Sequence, residues 1–554
     1  MLLAVGTEGI TSWVEARAKH AGLTPRHRAD GKLLAHRGGG AFQWSAPTSL
    51  TSLDGRAECR LEDDGIHVRM GACGGRALFA ARVGSTWIVS NQLALLADLV
   101  TTAGRAPSLD LDWLAASILL TPTLRAATPY EAVLAVRSNG HTLFAAGQPP
   151  RFTEATHAAI TETRIEDVEG ALRSVVRRHA SLAPRHAVLA GGIDSCSLAA
   201  LLAPVTDVLP VCIDFGEADE DRPYVEQLAS FIGKPHRVIA PADAARELPP
   251  DLTVDGAPVL WPTAPHVQAC LRVARDEGIR AVWMGIGGDE LFDGSPRGAS
   301  SLARRGRLRD AISLARDLAP PTLLGQARSV ALNVAWAWLR PHLPRGLLAL
   351  RGGGGSPPLR PWAGARLHAC RAASLAGARG QPPPWEISRR DKVLRYLRWN
   401  HYDRVAFDRH LLEVAGGVLR IDPYLEPEIV RAVAALPDDE LVRGGVPRAA
   451  LREAVRGLLP ENVRMRRAKA SCDRAILTMF RAVPVERWRR LATPTALADL
   501  GLVEPRSFRA DYDELEGDPL AHPEGWLRVW PVLACEAFVR GVAKLPGRFE
   551  GGYA

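Results

Sequence analysis

From residue 185 onward the chain alternates short apolar runs of strand length with helix-patterned segments, and few folds accommodate that rhythm. HAVLAGG (186–192), VLPVCIDF (208–215), HRVIA (236–240) and AVWMGIGG (281–288) are strand-length runs dominated by apolar residues. A strand without a polar face is covered on both sides. Between them lie CSLAALLA (196–203), PYVEQLASFIG (223–233) and APHVQACLRVARDEG (264–278), of helix length and composition. Strands alternating with helices build a doubly wound parallel sheet. In IEDVEGALRSVVRRHASL, Val168, Leu172, Val175 and Val176 recur near the 3.6-residue period, which predicts an amphipathic helix leading into the first strand.

The first 155 residues have another texture. ALFAARV (77–83), TWIVSN (86–91) and HTLFAAG (141–147) read as short strands broken by Gly and Asn, with helices expected at Leu93–Thr102 and near Leu111–Leu120. The change of pattern at 155–163 divides the chain into an N-terminal domain, 1–157, and a C-terminal domain, 163–554. Beyond Gly294 the pattern is largely helical, and RGGGGSPPLRP (351–361) and QPPPW (381–385) read as connections.

Composition matters through its distribution. The net charge of +8 conceals a segment, 297–409, with 21 basic against six acidic residues; the rest of the chain is therefore mildly acidic. Trp385, Tyr396, Trp399 and Tyr402 interleave with those arginines, as in grooves for single-stranded nucleic acid. No nucleic-acid-binding motif accompanies them, so the segment reads as a solvated face or a groove for a peptide, and nucleic acid is not an expected partner. The eight cysteines show no metal-ligand spacing and no apolar run reaches 18 residues, which together predict free thiols, a cytoplasmic protein and no membrane span.

Two motifs carry chemistry. Val188–Leu198 places Gly191 and Gly192 between a strand and a helix start, where backbone N–H groups and the helix dipole cradle phosphate oxygens. There Asp194 would hold a metal and Ser195 would cap the helix. No GxxxxGK[ST] occurs, so this is not a P-loop. Met284–Gly294 puts glycines before the adjacent carboxylates Asp289 and Glu290 at the carboxyl end of a later strand, which suits a nucleotide wall beside a hard cation such as Mg²⁺.

The first motif resembles the SGGxDS pyrophosphate loop of N-type ATP pyrophosphatases, with Ala190 replacing its first Ser and removing one hydroxyl contact. Together the two motifs resemble the asparagine synthetase family, whose second motif reads SGxGxDExFxGY. Residues 212–236, Asp255–Pro258, Asp422–Glu426 (similar to that family's PFLD) and Leu451–Lys469 extend the resemblance over most of 165–480. It implies ATP and Mg²⁺, with Asp194 and Asp289 on the metal, residues 190–195 (Ala190, Gly191, Gly192, Asp194, Ser195) on pyrophosphate, and Leu189, Ile213, Met284, Gly285 and Gly287 around the nucleotide. Asp289 and Lys469 are the implied catalytic residues; a lysine at the reacting centre would stabilise charge as AMP departs.

The N-terminal third resembles, in order, the glutaminase half of that family, an α+β sandwich of the N-terminal-nucleophile type. Its nucleophile is a Cys at the mature N-terminus, whereas Leu2, Leu3 and Ala4 stand here. Glutamine hydrolysis by that route is not expected, so the amine must come from a substrate. Lasso peptide cyclases, β-lactam synthetases and an ammonia-using asparagine synthetase are the branches that remain. The last two place a Glu four residues before the Pro of PFLD, where this chain has Leu419, with Arg420, Asp422 and Glu413 nearby. The resemblance therefore favours macrolactam closure on a precursor core peptide, with a leader peptidase and a leader-recognition protein as partners. A noncatalytic nucleotide-binding scaffold is the competing class, and His401 and His410 read as structural.

Overall fold

The computed structural model describes residues 57–71, 77–102, 108–121, 127–154, 167–214, 221–249, 251–292, 306–317, 322–335, 359–378, 401–436, 440–443, 446–466, 473–517 and 525–543, together with five short strands (Leu2–Val5, Thr24–His27, Leu33–His36, Phe42–Ala46, Ser49–Ser52) and residues 19, 299, 302, 303 and 319.

The N-terminal half stacks two antiparallel six-stranded sheets. Period-two alternation sends Leu78, Ala80, Trp87 and Val89 toward Cys59, Ile66, Val68 and Phe144 of the outer sheet. The same strands send Phe79, Ala81 and Ile88 the other way, onto helices Leu93–Thr102 and Leu111–Ile118. The inner sheet is thus apolar on both faces, while the outer one turns Glu58, Arg60, Glu62, His67 and Arg69 to one surface pocket.

The second half contains a five-stranded parallel sheet: β1 (Arg185–Leu189), β2 (Asp207–Ile213), β3 (Arg237–Ile239), β4 (Ala281–Trp283) and β5 (Leu419–Ile421). Their spatial order is β3-β2-β1-β4-β5. Helices α1 (Val168–Ala180), α2 (Ile193–Leu202) and α3 (Arg222–Phe231) bury Leu172, Val175, Leu198 and Leu228 against one face. Helix α4 (Ala264–Asp276) buries Ala269, Leu271 and Ala274 against the other. Asp167 begins α1 by accepting a hydrogen bond from the Gly170 N–H at 2.6 Å, and basic residues close it, matching the helix dipole.

β5 interrupts the largely helical region beyond Gly294. Three residues with Arg420 at the centre give no strand pattern. They pair in parallel with β4, and Arg420, 1% exposed, lies beside Asp422. Within the basic segment Arg409 is buried, and Trp385, Tyr396, Trp399, the connection 381–385 and most of 351–361 lie outside the described residues. Six cysteines among the described residues are free thiols, and none of the described helices is long and apolar enough to cross a membrane.

The halves share one apolar cluster. Phe79 meets Phe407 of helix α5 (His401–Gly416) edge-on at 5.9 Å, and Tyr130 meets Phe538 of the last helix at 6.0 Å. Asp255, held at φ +47°, caps helix Leu93–Thr102 by accepting from the Leu93 N–H (2.8 Å) and the Ala94 N–H (3.1 Å). His410 sits on the same carboxylate at 2.7 Å, and the Tyr130 hydroxyl donates to Gly256 O at 2.8 Å. His410 also meets Phe79 edge-on at 5.4 Å and is a buried strut between the halves.

Candidate active site

β1 and β4 are neighbours, but the chain leaves them toward opposite edges of the sheet. Their loops diverge and leave a crevice at the carboxyl ends of the strands, where open α/β sheets bind ligands. The crevice opens into a cavity of about 890 Å³.

The loop after β1 is built from its backbone. The Ala190 N–H donates to Val211 O at 2.8 Å, which holds residue 190 in the sheet. The chain then turns at Gly191 and Gly192, and Gly192 is the N-cap of α2 without any side-chain cap bond. Ser195 does not cap the helix as expected, because α2 starts two residues before it. Its hydroxyl accepts from the Gly191 N–H (3.0 Å) and donates to Gly192 O (3.1 Å), stapling the turn. Burial pushes the neighbouring Cys196 thiol up to about 12, so it stays protonated beside the loop.

The glycines of the second motif exist because the first motif touches them. A Cβ at Gly288 would stand 2.6 Å from Asp194 Cγ, and one at Gly285 would stand 3.1 Å from Ser195 N. Gly287 adopts φ +91°, a region glycine enters without cost. The Tyr424 hydroxyl donates to Asp194 O at 2.7 Å and locks the first turn of α2 from below; burial pushes this phenol well above its usual range.

Asp194 and Asp289 converge on one guanidinium. Arg448 lies 3.2 Å from Asp194 Oδ2 and also pairs with Asp289 Oδ1. It does so from a left-handed backbone (φ 61°), where a hairpin gives way to helix Ala449–Ala454. Two carboxylates sharing one cation position form an oxygen donor set, which suits a hard divalent ion. The residues fit Mg²⁺ on this ground.

Four further arginines line the cavity. Arg466 pairs with Asp221 at 2.6 Å and lies over the Tyr224 ring at 4.3 Å. Arg452, 4% exposed, donates to Pro447 O and Arg466 O at 2.8 Å each, and to Arg464 O. It clamps the stem of the segment that carries Lys469, which itself lies outside the described residues. Arg420 reaches the cavity wall alongside Arg409, with Asp422 between them at 3.6 Å from Arg420. Asp422 is sealed inside and Glu413 accepts from the Arg420 N–H at 2.8 Å, so neither carboxylate reaches the cavity to replace the Glu absent at position 419.

Of the expected site residues, Leu189, Gly192, Asp194, Ser195, Met284, Gly285, Gly287 and Asp289 line the cavity. Ala190, Gly191 and Ile213 do not: the first two support the loop and the last packs under the sheet end. The sequence reading missed Arg448, Arg466 and Trp261 on the walls. Only the arginines left a trace, as basic residues flanking the LREAV and ENVRM stretches. Among the described residues, a group able to ligate metal (Glu62, Asp64, His67) lies on the outer sheet's hairpin, and Glu62 and His67 of it line a separate pocket.

A family model for asparagine synthase matches residues 167–540. No curated protein sequence matches the chain.

Proposed function

The chain belongs to the asparagine synthase family, and from that premise we propose that it is an AMP-forming carbon–nitrogen ligase that closes a macrolactam in a lasso-type precursor peptide. A substrate carboxylate oxygen attacks the α-phosphorus of ATP and pyrophosphate leaves. The peptide's N-terminal amine then attacks the acyl carbon, AMP leaves, and the amine loses a proton.

One observation carries the ligase reading: the two glycine motifs interlock at the strand-order switch with Asp194 and Asp289 turned to one cation position. The first N–H groups of α2 would face pyrophosphate oxygens there, and Arg448 and Arg466 add positive charge beside them. Asp194 and Asp289 would hold Mg²⁺, which neutralises phosphate charge when bound. Lys469 is assigned to the acyl carbon end, its stem fixed by Arg452.

The peptide reading rests on three supports. Among the described residues, neither of the sheets of the N-terminal half contributes to the cavity, which draws from that half only Leu120 and Thr121. No carboxylate of the Leu419–Asp422 stretch reaches the cavity to bind a small amino acid. The walls beyond the motifs include Val254, Leu260, Trp261 and Leu411, which suit more than aspartate. The test is pyrophosphate release with ATP and a panel of acceptors. Release with a linear peptide bearing a free N-terminus and an internal Asp or Glu is expected. Release only with aspartate and ammonia points to the asparagine synthetase alternative, and release only with a small β-amino acid to the β-lactam synthetase alternative.

A further inference from the structure

Leu120 and Thr121 line the active-site cavity, yet they belong to the N-terminal half. They follow helix Leu111–Ile118, and their backbone makes a two-bond helix terminus. The Thr121 N–H donates to Ala116 O at 2.9 Å and the Leu120 N–H donates to Ser117 O at 3.2 Å. In this terminus the residue in Leu120's place adopts a left-handed conformation, and glycine is its usual occupant. Leu120 takes φ +49° with a branched side chain that is 39% exposed. A bulky residue held in an unfavourable backbone region, with its side chain on the cavity rather than in the core, is a strained position of the kind that gathers at binding sites.

Its neighbours define what it would touch. Val259, Leu260 and Leu411 line the same cavity and belong to the apolar cluster that joins the two halves, against which Leu119 also packs. The phosphate-facing motifs belong to the separate cores of the parallel sheet. The wall is held firmly: Asp110 caps the helix before it by accepting from the Trp113 N–H at 2.7 Å, and nearby Asp255 caps helix Leu93–Thr102 while Tyr130 is bonded to Gly256.

We infer that the N-terminal half supplies a specificity wall at Leu120–Thr121, and that this wall selects acyl substrates with an apolar group beside the carboxylate to be activated. The inference rests on the ligase reading above and deepens it. The N-terminal half is then part of the substrate site.

The test is ATP–pyrophosphate exchange by the full chain with linear peptides containing one internal Asp or Glu flanked by either Gly or Leu, and with L-aspartate. The wild type should favour the Leu-flanked peptide. Leu120→Gly suits the left-handed terminus better than leucine, so it should fold and keep its KM for ATP, while the preference shrinks about tenfold. Leu120→Asn, which keeps the size and tolerates the same backbone, should lose the preference too. Exchange with peptides whose flanking preference is absent in the wild type, or survives in both variants, overturns the wall alone. Exchange with L-aspartate and no peptide overturns the peptide reading and the wall with it.

Discussion

Two arginine–aspartate clusters face the same cavity with inverse charge ratios. In one, Arg448 serves both Asp194 and Asp289, and the Asp289 side chain is 47% exposed. In the other, Arg409 and Arg420 flank Asp422, and their side chains are 4%, 1% and 0% exposed. An open cluster with surplus negative charge can exchange its guanidinium for another cation. A sealed cluster with surplus positive charge cannot be rearranged without exposing a buried charge, which is costly. The difference separates a part of the site that takes ligand from a part that holds its wall.

The largest expected effect is on the open cluster. Asp289→Ala should cut pyrophosphate release by about a thousandfold, the scale of a lost electrostatic contact to the reacting group. Its urea midpoint should barely move, since the side chain is half in water; retained turnover would break the metal assignment. In the sealed cluster, Asp422→Ala should lose about 3–5 kcal/mol in urea unfolding, because two buried guanidiniums lose their shared carboxylate. A variant that folds normally but fails to turn over would place Asp422 on the substrate and erase the contrast. Between the two clusters, Gly288→Ala forces a Cβ to 2.6 Å from Asp194 Cγ. A loss of about 1–3 kcal/mol is expected from overpacking, together with weaker binding of ATP measured by calorimetry. The smallest effect serves as a control away from the cavity: Asp167→Ala removes the N-cap of α1 and should cost about 0.5–2 kcal/mol in urea unfolding with turnover unchanged. Loss of turnover there would show that the site depends on α1 more than a cap warrants.

The parallel sheet could be read from sequence because β1, β2 and β4 are buried on both faces and carry unbroken apolar runs. Helix Leu93–Thr102 was legible for the same reason, as an apolar stretch after a turn. β5 was not, since its central residue is a buried arginine whose partners come from other elements. Strands such as Thr24–His27 and Phe42–Ala46 contain Pro, Arg or Ser and lie at sheet edges, where the pattern is weak. At the site, the two glycine motifs were legible because close backbone approach leaves few substitutes. Arg448 was not, because its role depends on a left-handed turn far along the chain from either aspartate. Leu120 defies local preference, and only tertiary structure shows what its side chain faces.

The contact between Gly288 and Asp194 also limits how such a site can change over generations. The Cβ of any side chain at 288 would stand 2.6 Å from Asp194 Cγ and 2.9 Å from Asp194 Cβ, so even alanine at 194 would not make full room, and it would discard the carboxylate the site depends on. Either order of substitution passes through a weakened site. The two motifs should therefore persist together or decay together, and a homologue that keeps one while losing the other has left this chemistry altogether.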